Sequence, residues 1–172
     1  MRGTYKVDAN GTLLRVTPEQ LASLRLRFFD DALSEKISDL LVLDMHVLDV
    51  AHTVEPEQVV AEIRSLEPGG GRSLTKAAAP FEKLPLRGLW HKHFVSTGTP
   101  AHTRDGPLPK NPEHRVLTGD WIVYLPHNGA NRYLCLANHD TPDQLILDRI
   151  IKYCLADFPE LPEWLAHARA FR

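Results

Sequence analysis

The chain has 172 residues, enough for one domain of ordinary size carrying a small helical annex. Hydrophobic residues make up 43% of it and charged residues 24%, which excludes wholesale disorder and fibrous repeats. Lys and Arg number 20 against 22 Asp and Glu, a formal charge of −2, so the chain lacks the basic excess of an obligate nucleic-acid coat.

That average conceals a gradient. Residues 1–86 carry 10 basic and 13 acidic side chains, residues 87–139 carry 6 and 3, and residues 140–172 carry 4 and 6. The cationic middle also holds six of the nine histidines: His91, His93, His102, His114, His127 and His139. Cys135 and Cys154 are each flanked by apolar residues and read as buried, reduced thiols of an intracellular protein. The opening residues lack the apolar core of a signal peptide. No stretch approaches the roughly 18 to 20 apolar residues of a membrane span, so the expected compartment is the cytoplasm, with no membrane partner.

In chain order, Thr4 to Val16 reads as a hairpin. Tyr5 and Val7 alternate with polar residues, Asn10-Gly11 supplies the positive φ of a turn, and Leu13 to Val16 returns. Thr17-Pro18-Glu19-Gln20 is a helix start of capping-box type, and Leu21, Leu24, Phe28 and Phe29 carry a first helix to about Leu33. A second helix is predicted from Glu35 to about Ala51, with Ile37, Leu40, Leu41, Met45 and Leu48 facing a core. Val42, Leu43 and Val47 widen its apolar face, implying either burial on more than one side or a surface for a protein partner. A third helix from Pro56 to Leu66 ends at Pro68-Gly69-Gly70-Gly71.

Beyond a hinge-like stretch ending at Pro85, the pattern turns to strand period. Gly88–Ser96, Trp121–Leu125 and Arg132–Ala137 read as strands, the last two joined through Pro126 to Asn131. Thr97 to Leu117 is a long Pro-, Gly- and Thr-rich connection without apolar periodicity, which marks it as mobile or functional. Thr141-Pro142-Asp143-Gln144 starts another helix reaching about Ala156, and a short one follows from Pro162 to Ala170. The predicted fold is α+β: an N-terminal hairpin and helices over residues 1–72, then a small antiparallel sheet flanked by C-terminal helices over 73–172. The two parts form separate units or one compact domain.

The sharpest chemical feature is Leu89-Trp90-His91-Lys92-His93-Phe94-Val95. On a strand, His91 and His93 share one face while Trp90, Lys92 and Phe94 share the other. Two imidazoles about 7 Å apart along a strand can serve as an acid and a base or as two metal ligands. Asn138-His139-Asp140 ends a strand just before a helix start, where backbone amides favour an anion. His102, Thr103, Arg104, Lys110, His114 and Arg115 give the long connection the charge of a lid over phosphates. Arg132 follows the hairpin residues Asn128 to Asn131, and Trp90, Trp121, Tyr124 and Tyr133 offer stacking faces. Walker loops, dinucleotide glycine fingerprints, HExxH and Cys-x-x-Cys motifs are absent.

The order strand, connection, strand, strand, helix over about residues 84–155 carries Gly88 to His93, Trp121-Ile122-Val123-Tyr124 and Tyr133 to Asp140. In that order the segment resembles the sheet of RelE-like bacterial toxins and their wider ribonuclease superfamily. The resemblance implies metal-independent RNA cleavage by attack of a ribose 2′-hydroxyl on the adjacent phosphate, in a toxin–antitoxin setting. His91, His93 and His139 would be catalytic, and Lys92, Arg104, Arg115 and Arg132 would bind substrate. It departs from that family in its neutral charge, its helical preface and its histidines where those toxins favour arginines. Two rival expectations stand beside it. One is a zinc- or iron-dependent enzyme with His91, His93 and His139 as ligands. The other is a non-catalytic interaction module acting through the N-terminal helical region.

Overall fold

The computed structural model describes residues 3–9, 12–95 and 120–170. The predicted Asn10-Gly11 turn and the whole of the connection 97–117, with Arg104 and Arg115, lie outside the described residues. Strand β1 (Tyr5–Ala9) pairs antiparallel with β2 (Thr12–Val16), and the facing pair Tyr5 and Val16 is buried.

Helix α1 (Pro18–Phe28) opens with the capping box its sequence predicts. The Gln20 amide N–H donates to Thr17 Oγ1 at 3.2 Å and the Thr17 N–H donates to Gln20 Oε1 at 2.8 Å. It stops short of Leu33 because Asp30 caps a new helix, α2 (Asp31–Ser34), accepting from the Leu33 N–H at 2.9 Å. Helix α3 (Asp39–Val50) also begins later than predicted. Ser38 is its N-cap, taking the Leu41 N–H at 3.0 Å, and Ile37 before it forms an isolated parallel bridge with Tyr133. The Tyr133 N–H donates to the Lys36 carbonyl at 2.8 Å, and the Ser38 N–H donates to the Tyr133 carbonyl at 3.0 Å. Helix α4 (Pro56–Ser65) is followed by the glycine run. A Cβ on Gly70 would stand 1.6 Å from the Arg64 carbonyl oxygen, so only glycine lets the chain fold back over the helix end.

The main sheet runs β3 (Ala79–Pro80), β4 (Trp90–His93), β5 (Asp120–His127), β6 (Ala130–Asn138), every neighbour antiparallel. β5 and β6 extend past their predicted ends to meet in a two-residue turn. Asn128 and Gly129 take φ of 50° and 76° there, the left-handed pair that suits the twist of a hairpin. Helices α5 (Asp143–Cys154) and α6 (Leu161–Ala170) complete the chain. The α+β class read from the sequence is the class observed.

The sheet divides the apolar interior. On one face Ile122, Tyr124, Tyr133, Leu136 and Phe94 pack with residues of β1, β2, α1, α3 and α4. On the other, Val123, Leu125, Leu134 and Cys135 pack with Ile146, Ile150, Leu161 and Leu165 of α5 and α6. The wide apolar face of α3 is used within the molecule: Val42 and Leu43 are fully buried and Val47 packs against the first cluster. Of the two readings of that face, burial is the one observed for Val42 and Leu43, while Val47 is only partly buried. Among the described residues no helix is long and apolar enough to cross a membrane.

Candidate active site

Strand β4 lies between β3 and β5, with Ala79 opposite His91, and with Val123 and Trp121 opposite His91 and His93. Strand alternation sends both imidazoles to one face, as the sequence implied. Their ring centroids are 5.6 Å apart at an interplanar angle of 75°. Trp121 stands 5.2 Å from the His91 ring and 6.4 Å from the His93 ring. Phe81, just past β3, closes the group at 4.6 Å from His91 and 5.4 Å from Trp121. Four rings thus surround one end of the sheet.

The two histidines differ in setting. His91 is half-buried, and its Nδ1 is buried with no hydrogen-bond partner. Burial, and secondarily the Lys76 ammonium, lower its pKa below the ordinary 6.5, so the ring is neutral at pH 7. His93 is 8% exposed. Its carbonyl accepts from Thr75 Oγ1 at 2.8 Å. A neutral imidazole beside a second imidazole is an arrangement in which one ring can take a proton while the other gives one.

Lys92 does not join them. It points through the opposite face and its side chain is 3% exposed. Its Nζ lies 3.3 Å from Glu62 Oε1 and donates to Ser73 Oγ at 2.7 Å, Thr75 Oγ1 at 2.7 Å and the Lys76 carbonyl at 2.6 Å. The expectation that Lys92 contacts substrate is therefore corrected: alternation puts it across the strand from the histidines, and its ammonium is fully engaged inside. His139 sits just past the end of β6, 64% exposed in its side chain, with Nε2 3.5 Å from Asp140 Oδ1. Two strand spacings, roughly 10 Å, separate its strand from β4. Among the described residues no group of three or more His, Cys, Asp or Glu side chains gathers as a metal site, so the three-histidine ligand set is not assembled.

Arg132 is placed at the other end of the sheet. Its guanidinium lies 5.6 Å over the Trp164 ring, which stacks with His127 at 5.1 Å and 22°. His167 meets His127 edge-on at 5.8 Å. Arg132 and the histidine pair therefore do not converge.

Three contributors escaped the sequence reading. Phe81 and Lys76 lie in a stretch read only as hinge, and β3 has two residues, too few for any periodicity to register. Glu62 did leave a signal: it stands between Val59 and Ile63 on the buried stripe of α4, and a carboxylate there requires a buried partner.

No protein-family model, curated protein or solved structure matches this chain.

Proposed function

We propose that the protein is a metal-independent, ribonuclease-like enzyme that cleaves RNA phosphodiesters, as the resemblance of residues 84–155 to RelE-like toxins implies. The observation that carries this reading is the paired imidazoles of His91 and His93, their ring centroids 5.6 Å apart, with burial holding His91 neutral. His91 accepts the proton of a ribose 2′-hydroxyl as that oxygen attacks the adjacent phosphorus. The bond from phosphorus to the 5′-oxygen breaks, and His93 donates the proton that the leaving oxygen takes up. The products are a 2′,3′-cyclic phosphate and a free 5′-hydroxyl, and the two rings end with their protonation exchanged.

Lys76, whose positive charge acts on His91, takes the charge-stabilising role expected of Lys92, offsetting the negative charge that builds on the phosphorane oxygens. Trp121 and Phe81, both half-buried, offer ring faces on which an unstacked base can rest. The test is incubation of single-stranded RNA with the purified protein in EDTA. Cleavage that leaves cyclic phosphate ends and disappears in the His91→Ala/His93→Ala variant supports the reading. Undiminished cleavage by that variant, or cleavage abolished by the chelator, overturns it.

A further inference from the structure

Behind the histidine strand lies a polar cluster that the chemistry above does not use. Glu62 and Lys92 are both essentially buried, 1% and 3% exposed in their side chains. They fasten the segment 73–75 to the body of the molecule. Glu62 Oε1 accepts from Ser73 Oγ at 2.6 Å, and its Oε2 accepts from the Leu74 N–H at 3.0 Å. Lys92 Nζ donates to Ser73 Oγ and to Thr75 Oγ1, each at 2.7 Å. An isolated buried ion pair is weak evidence of stabilisation, because desolvation offsets most of its Coulomb gain. The effect of this one is geometric: it fixes the place of the Thr75 hydroxyl.

That hydroxyl meets β4 where the sheet runs out. In an antiparallel sheet the backbone groups of alternate residues point to the same edge. The Leu89 carbonyl accepts from the Phe81 N–H at 2.8 Å, on the β3 side, whereas the Phe94 N–H donates to the Asp120 carbonyl at 3.4 Å, on the β5 side. Leu89, His91 and His93 therefore aim their carbonyls toward the β3 edge. β3 meets β4 only through Ala79 and Pro80, opposite His91 and Trp90, and stops short of His93. At His93 the Thr75 hydroxyl takes over, its Oγ1 lying 2.8 Å from the carbonyl oxygen. Glu62 Oε1 is a second acceptor at 3.1 Å. A hydroxyl has one proton to give, and the shorter contact is the one to His93. Because the Lys92 ammonium donates into the same oxygen, the Thr75 O–H is polarised and becomes the better donor.

We propose that Thr75 is a positioning residue. Its hydroxyl, placed by Lys92 and Glu62, substitutes for the strand neighbour that β3 does not supply, pins the His93 peptide at the end of β4, and so keeps the His93 ring against His91. This role rests on the ribonuclease reading for its purpose, since His93 is the proton donor there. The hydrogen bond and the ring separation can be measured without substrate.

The experiment joins NMR on the full chain to RNA kinetics. Thr75→Val keeps the shape of the side chain and loses the hydroxyl, and Thr75→Ser keeps the hydroxyl. In Thr75→Val the carbonyl carbon signal of His93 should move upfield, and the Overhauser contact between the His91 and His93 rings should weaken. Thr75→Ser should keep both as they are in wild type. Thr75→Ala serves where the valine variant fails to fold. On RNA, Thr75→Val should lower kcat by about 10- to 10²-fold with KM little changed, the cost of a small misplacement of a reacting group, and Thr75→Ser should recover most of that loss. Added to His93→Ala it should cost nothing more, because it acts through that ring. An unmoved His93 carbonyl signal or an unchanged ring contact in a folded variant without the hydroxyl overturns the inference, as does a loss of activity that multiplies with that of His93→Ala. Wild-type protein inactive on RNA, with both NMR changes present, would instead defeat the ribonuclease reading and leave the hold of Thr75 on His93 standing.

Discussion

At the scale of single residues the proposed chemistry turns on His91. Burial, and secondarily the charge of Lys76, lower its pKa, so between that lowered value and 6.5 the unfolded chain holds a proton at this position that the folded chain does not. Its contribution to stability is therefore complete above pH 6.5 and is lost as the pH falls through 6.5 toward the folded value. Urea midpoints measured from about pH 7.5 down to about 5 should fall, and fall less steeply in His91→Phe, because that variant has no proton to take up. Equal slopes in the two proteins would contradict the burial argument. For catalysis, removal of either imidazole should lower RNA cleavage by about 10²- to 10⁴-fold, the usual worth of a positioned acid or base. The check is single-turnover kinetics on variants with wild-type circular dichroism. By contrast His139→Ala, out at the end of β6, should stay within a few-fold of wild type.

At the scale of elements, the helices and the sheet are joined by charged contacts as well as by apolar packing. The Asp44 carboxylate on α3 accepts from the Leu136 N–H of β6 at 3.0 Å and from the Arg149 guanidinium of α5 at 2.6 Å. Replacing Arg149 by Met leaves that carboxylate facing the sheet without its cation. Because Arg149 itself is about one-third exposed, the expected loss is about 2 kcal/mol, below the range for fully buried pairs; chemical denaturation measures it. Much of this layer was legible in the sequence. The Thr17 capping box, the Asn128-Gly129 turn and the alternation of Trp90 to His93 are local signals, and each formed as its residues dictate. The errors have long-range causes. Helix α3 starts later than apolar spacing suggests, at Ser38, because residues 36–38 are drawn into pairing with Tyr133, far along the chain. Strand β3 forms only because β4 is there to receive it. At the site, alternation identified the histidine pair and also the side on which Lys92 lies, whereas the Lys76 and Phe81 contributions depend on how a patternless segment packs.

At the scale of the molecule, the sheet separates two apolar clusters, and the two cysteines belong to the α5–α6 side. Cys135 and Cys154 are both fully buried, and burial raises both thiols, Cys154 to about 12. Neither should react with iodoacetamide in the native state, while both should react in urea, as intact-mass spectrometry can establish. Rapid native labelling of either would mean that the α5 face opens readily. The fold thus keeps its soft nucleophiles out of reach and sets the imidazoles of His91 and His93 together at one end of the sheet, against Trp121. The most direct measurement is the end-group chemistry of single-stranded RNA incubated, in EDTA, with wild type and with His91→Ala/His93→Ala. Cyclic phosphate ends from the wild type alone are the predicted result; the same fragments at the same rate from both proteins would contradict it.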